Sequence, residues 1–245
     1  MLLQKNDPKP AVIGGPATAS GFLLTCEHAG NAIPQCLGDL GISKEDLDDH
    51  IGWDPGAFEL TRALSDRLSA PFVAQPYSRL VIDCNRPRGA PDLAPENADT
   101  RSIPGNVALS ADELTGRWDE IHQAFHNEIV AMLPEKSALA SIHSFTSRRR
   151  LDQASRGLQI GVLARDDNPL FRHLMRHLPE RFDGPVAANE PYEIEDGSDY
   201  TIPVHAETRD LPHALIEVRN DLIADPTGVA RIADILAPIL QEFYE

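Results

Sequence analysis

The chain has 245 residues, 42% of them hydrophobic and 24% charged, with a formal net charge of −16. That size and balance suit a soluble globular α/β chain with a substantial core, expected as one domain over 1–245 with 1–19 as an N-terminal extension. The negative charge excludes nucleic acid and anionic membrane as main partners, because both would repel it. Cys26, Cys36 and Cys84 form no CxxC pair, which excludes a disulfide framework or a cysteine-rich zinc site.

The opening "MLLQKNDPKPAVIGG" carries charges and breakers where a secretory signal needs an apolar run. No stretch approaches the roughly 18 apolar residues of a membrane helix, so the expected location is cytoplasmic. "GFLLTCEH" then reads as a strand. "PGAFELTRALSDRLSA" reads as a helix with Phe58, Leu60, Ala63, Leu64 and Leu68 on its apolar stripe. "PFVAQPY" and "SRLVIDCN" read as extended segments. A Pro- and Gly-rich loop follows from about Arg86 to Gly105, and its long polar segment "RGAPDLAPENADTRSIPGN" is suited to a lid or specificity wall.

Ser110, with Glu113 three residues later, is a capping box that starts a helix running to about Leu133. "ALASIHSFTS" and "LQIGVLARD" are further strands, and "NPLFRHLMRHLPERF" is a helix. "HALIEVRND" is a strong strand, and "PTGVARIADILAPILQEFYE" closes the chain as a helix. Strands alternating with helices predict helices packed on both faces of a sheet. Neither internal repeats nor low-complexity linkers are present.

Four polar residues fall at or just past the C-terminal ends of predicted strands: His28, Asn85, His143 and Glu217. In open α/β sheets that edge is where ligands bind. A catalytic zinc needs about three His, Asp or Glu ligands and a general base beside its open position. His28 and His143 are the natural imidazoles. Glu27 and Asp54 both compete to be the acidic ligand, with His50 a weaker candidate and N-capping an alternative role for Asp54. Glu217 and Arg219 share one face of an interior strand, where a carboxylate costs several kcal/mol unless paired or metal-linked. They form either a structural ion pair or a catalytic base with a neighbouring cation.

Arg79, Asn85 and Arg86 offer a carboxylate-binding fork, to which Arg148, Arg149 and Arg150 are a weaker addition. His122 and His126 have the spacing of HExxH, but Gln123 replaces its acid, so they read mainly as the polar face of the long helix, from which His126 could reach the site. His173 and His177 read as surface, and Cys26 as core. No Gly-rich phosphate loop and no GxSxG occur.

Taken together, "TCEHAGNAIP", "HIGWDPGA", "SRLVIDCNRP", "SIHSFTS" and "DYTIPVHAETRDLPHALIEVRNDLI" resemble the N-formylglutamate amidohydrolase family over roughly residues 20–240. The resemblance implies a three-layer sandwich like that of the zinc carboxypeptidases and aminoacylases, with a mixed, mostly parallel sheet between helices. It implies a zinc or other divalent metal on His28 and His143, and Glu217 as general base. Arg79 would polarise the scissile carbonyl, and Asn85 and Arg86 would hold a substrate carboxylate. Asn31 stands where carboxypeptidases place a ligand glutamate, which favours Asp54 as the third ligand and leaves Glu27 in reserve.

Ser144, Thr201, His205 and Arg219 complete the expected substrate contacts. The implied partner is a small N-acyl amino acid such as N-formyl-L-glutamate, within amino-acid metabolism such as histidine degradation. An anionic substrate would need a local basic pocket, which Arg79, Arg86, Arg148 and Arg219 could supply. The competing expectations are a carboxylate-binding relative without catalysis and a metallopeptidase acting on peptide ends or cell-wall fragments.

Overall fold

The computed structural model describes residues 1–16, 21–133, 137–151, 153, 155–165 and 167–244. Its strands are β1 (Val12–Gly14), β2 (Phe22–Cys26), β3 (Phe72–Ala74), β4 (Asn97–Ala98), β5 (Arg101–Ser102), β6 (Ala138–Phe145), β7 (Ile160–Leu163), β8 (Val186–Ala188) and β9 (His213–Arg219). The helices are α1 (Lys44–Asp48), α2 (Ala57–Leu68), α3 (Ala111–Arg117), α4 (Gln123–Met132), α5 (Pro169–Arg181) and α6 (Pro226–Glu242). Seven strands form one sheet in the order β1-β3-β2-β6-β9-β7-β8, and β4 and β5 form a separate small hairpin. Pairing is parallel except at β1–β3 and β7–β9. This is the expected mixed, mostly parallel sheet flanked by helices.

Alternation along the central strands builds two cores. Leu24, Cys26, Ala140, Ile142, Ile216 and Val218 pack under α2, α5 and α6. Leu23, Val73, Leu139 and Leu215 face Trp118, Ile121, Phe125 and Ile129 on the other side. Helix α2 buries Leu60, Leu64 and Leu68, the stripe its periodicity predicts. Asn168 and Asp225 cap α5 and α6 through their side chains, and the Ser110–Glu113 capping box is formed. No helix of the described residues is long and apolar enough to cross a membrane.

Two local expectations are corrected, and the N-terminal stretch gains detail. "SRLVIDCN" is a series of turns, not a strand: its apolar residues are buried by curling rather than by pairing, and Val81 N–H returns to Ser78. Within the stretch read as an N-terminal extension, Val12–Gly14 pairs with β3 and the Pro8 carbonyl accepts from Tyr77. The helix starting at Ser110 has a π turn at Trp118–His122 between α3 and α4. His122 and His126, expected on its polar face, are buried instead.

Candidate active site

The sheet delivers the site through strand alternation. Ser141 and His143 on β6 and Glu217 on β9 lie on the same face as Leu139 and Leu215. His143 and Glu217 stand side by side in the parallel register of these two strands. β2 stops at Cys26, and the chain then places Glu27 and His28 at the sheet edge. Asp54 arrives on a loop whose backbone N–H bonds to the His28 carbonyl at 3.0 Å. Gly56 turns that loop at φ +82° with the Ile223 carbonyl packed against it, a conformation and a closeness that a side chain would not permit. Gly56, not Asp54, occupies the N-cap of α2, so the Asp54 carboxylate is free for other partners.

That carboxylate is the centre of the cluster. Asp54 Oδ2 lies 3.0 Å from His143 Nδ1 and 3.4 Å from His28 Nδ1, and it accepts from the Ser144 backbone N–H at 3.1 Å. The ligand-type atoms of His28, Asp54 and His143 all lie within 4.8 Å of one another, and all three residues are buried. The far nitrogens are held by other acids: His28 Nε2 meets Asp83 at 2.7 Å and His143 Nε2 meets Glu27 at 2.9 Å. An ionised carboxylate only accepts, so each Nε2 donates to its acid; both Nδ1 atoms turn toward Asp54, which accepts an N–H from them unless a cation takes the place of the proton. Two imidazoles braced by acids, with a carboxylate between their inner nitrogens, is a donor set that suits a divalent cation such as zinc once the cation displaces the protons.

The electrostatics agree. Burial opposes charge on His143, yet hydrogen bonds to Asp54 and Glu27 push its pKa well above the ordinary value. Burial likewise opposes ionisation of Glu27, but His143 and Ser141 bring it down to about 2. Asp54 is held low by His28 and His143, and Asp83 by Arg79 and His28, both against burial. Glu27 braces His143 from behind and is not among the three converging ligand-type residues, which include the favoured Asp54. His50 lines the cavity but is held between Asp49 and Asp99 and is not one of the three converging ligand-type residues.

Glu217 is the exception among these acids. Only 7% exposed, it lines the cavity and its Oε2 has no hydrogen-bond partner. Burial pushes its pKa up to about 7, against the pull of His143. A carboxyl poised near neutrality beside a candidate metal site suits a general base. Arg79 also lines the cavity, with Nη2 2.7 Å from Asp83 and Nη1 3.5 Å from Asp54.

The cavity has a volume of about 480 Å³. The 88–106 segment expected as a lid or specificity wall contributes no lining residue; Tyr192, Glu193, Glu195, Ser198 and Asp199 supply the wall instead. Gly161, opposite Glu217 on the β9–β7 ladder, lets this wall approach, because a β-carbon there would collide with the Glu190 carbonyl.

Several expected substrate contacts have other work. Asn85 lines the cavity, but its amide donates to Asp199 and its oxygen accepts from the Tyr200 and Thr201 backbone. Arg86 bonds Asp92 and the Ser198 carbonyl, with Nη2 unengaged among the described residues. The Asn-Arg pair thus fastens the wall. Ser144 reaches the cavity while its hydroxyl donates to the Pro55 carbonyl.

Thr201, His205 and Arg219 do not line the cavity. Thr201 is buried behind it, His205 stacks on His126, and Arg219 is drawn to Asp221 and the carbonyls of Arg156 and Leu158. Arg219 accordingly does not pair with Glu217. Arg148 joins a bridge to Ser155, away from the cavity lining, and His173, half-buried, bonds the Ile239 carbonyl.

Two braces escaped notice in the sequence. Asp83 follows the apolar "LVI", and an acid in such company needs a buried partner. Ser141 precedes His143 by two residues and so shares its face.

The class these features define is an amide-bond hydrolase with a candidate metal site, and the comparisons agree on the class. The family model for N-formylglutamate amidohydrolase matches residues 20–224, and the chain belongs to that family. Gene product Atu2144 from Agrobacterium tumefaciens is 34% identical and superposes with a TM-score of 0.94 over 100% of this chain and 98% of its own. N-formylglutamate amidohydrolase from Ralstonia eutropha JMP134 is 20% identical, with a TM-score of 0.76 over 96% of this chain and 98% of its own; that likeness is one of fold. No curated protein sequence matches the chain.

Proposed function

We propose that the protein hydrolyses the amide bond of an N-formyl or other short N-acyl amino acid, with a divalent cation, zinc by preference, held by His28, Asp54 and His143. The observation that carries this reading is the buried, unpartnered carboxylate of Glu217 beside three converging ligand-type atoms. The bound cation would supply Lewis acidity, polarising the amide carbonyl and acidifying water. Glu217 takes a proton from the attacking water and later delivers it to the amine nitrogen as the C–N bond breaks, leaving a free amino acid and formate or another short acid. Arg79, fixed by Asp83, turns an N–H toward the charge that develops on the carbonyl oxygen, a contact worth about 3–4 kcal/mol of barrier. The open Nη2 of Arg86 takes the α-carboxylate, and this anchoring orients the amide for attack. Glu27 and Asp83 keep the two imidazoles in one tautomer and one orientation.

The deciding experiment is metal analysis of protein purified without chelator, followed by assays of released formate and amine over a panel of N-acyl amino acids. About one divalent ion per chain and turnover that disappears on chelation are expected. Full activity in metal-free protein would overturn the assignment of the three ligands.

A further inference from the structure

We infer that the substrate carries a positive charge: a short N-acyl derivative of a basic amino acid, whose cationic side chain lies along the wall formed by Glu193, Glu195 and Asp199. The inference deepens the hydrolase reading above and rests on it. The charges that line the cavity motivate it. Five carboxylates, Asp54, Glu193, Glu195, Asp199 and Glu217, face two arginines, Arg79 and Arg86, and three histidines, His28, His50 and His143, which lie with Asp54 and Glu217 or against Asp49 and Asp99 rather than with the wall. Both arginines are already matched, Arg79 by Asp83 at 2.7 Å and Arg86 by Asp92 at 2.7 Å. A divalent cation on the floor would offset Asp54 and Glu217, and the three acids of the wall would stay unanswered.

Their surroundings sharpen the point. Asp199 receives only neutral donors: the Asn85 amide at 3.0 Å, the Ser198 hydroxyl at 3.0 Å and the Glu195 backbone N–H at 3.2 Å. Glu193 and Glu195 are exposed and form no ion pair among the described residues. The remaining acid of this turn, Asp196, pairs with Arg165 and does not line the cavity. Arg156 stacks on Tyr192 at 5.2 Å but is likewise absent from the lining.

An acidic stretch alone would be an ordinary solvated turn. Here it closes a cavity that has an independent mark of a ligand, the buried and unpartnered Glu217 oxygen. The volume of about 480 Å³ fits a small molecule rather than a polymer. A glutamate side chain entering it would set another carboxylate against the wall, whereas a guanidinium or ammonium would find complementary charge.

The test compares kcat/KM of the metal-loaded enzyme for N-formyl-arginine, N-formyl-norleucine and N-formylglutamate, in the wild type and in a Glu193→Gln, Glu195→Gln double variant. Both positions are exposed, so the variant keeps its fold, which a thermal melt checks. Arginine should exceed norleucine by about 10- to 100-fold, with glutamate lowest, and the double variant should cut the arginine-to-norleucine ratio by about 10-fold, mainly through KM. Added salt should shrink the wild-type ratio. A wild-type preference for glutamate, or a ratio unchanged in the double variant, overturns this inference alone. Turnover of none of the three overturns the hydrolase reading together with it.

Discussion

Two buried histidine clusters lie on the α3–α4 side of the sheet, and they differ in what answers their nitrogens. His28 and His143 are held by the carboxylates of Asp83, Glu27 and Asp54. His122 and His126 bond the Arg86 and Cys84 carbonyls, and His126 meets His205 at 2.8 Å. Carboxylates hold an imidazole ready for a proton or a cation, so His143 is pushed well above its ordinary pKa. Carbonyls offset much less of the penalty of burial: His122 falls to about 4 and His126 well below its usual value, while burial and the Arg209 cation bring His205 to about 4. Burial and helical spacing therefore do not distinguish a ligand histidine from a structural one. The charge on the group behind it does.

The largest effect should come from the first cluster. Asp54→Ala removes the group that both Nδ1 atoms face, and should abolish metal retention and lower kcat/KM by roughly 10³-fold or more, since a Lewis acid contributes several kcal/mol. Retained metal would break the contrast between the clusters. Glu217→Gln comes next: kcat should fall by roughly 10²- to 10⁴-fold with metal content unchanged. In the wild type the acid limb of kcat/KM should lie at or below about pH 7, because burial raises Glu217 to about 7 and a nearby cation can only pull it down. A limb well above pH 7 would assign the base elsewhere.

A smaller change should follow from Glu27→Gln, which keeps a hydrogen-bond acceptor at His143 but removes its charge. Metal affinity or activity should drop about 10- to 100-fold by titration or assay. The second cluster should answer only in stability. His126→Ala should cost about 1–3 kcal/mol in denaturant titration, by stranding the Cys84 carbonyl, and leave metal content intact. Because the folded pKa values of His122 and His205 lie below the unfolded value near 6.5, the unfolded chain takes up protons first. Stability should therefore be full above about pH 6.5 and fall as the pH drops toward 4. His122→Gln should blunt that fall.

Much of the frame was legible because periodicity is strong where burial is complete. The strands around Leu23, Ile142, Val162 and Ile216 and the helices around Leu64, Leu174 and Leu236 all announce themselves. "SRLVIDCN" misled because an apolar run looks the same whether it pairs or curls. The inward histidines were readable too: Trp118, Ile121, Phe125 and Ile129 form a stripe at helical spacing, and His122 and His126 fall inside it.

Within the site, residues at strand ends were visible, since a polar group after an apolar strand has few other reasons to be there. The role of Glu27 was not, because its partner His143 lies far along the chain on the neighbouring strand β6. The wall was hidden for the opposite reason. In "YEIEDGSDY" the acids look like any hydrated turn, and only the folded chain brings them over Glu217.

The absent β-carbon at Gly161 sets how near the Glu190 turn can draw to the catalytic strand. If the wall selects the substrate as inferred above, selectivity and reactivity would be carried by separate stretches of chain, held close because no β-carbon stands at Gly161. Relatives could retune which molecules they accept by changing the residues after Glu190, while the glycine and the acid-backed imidazoles beneath it stay fixed.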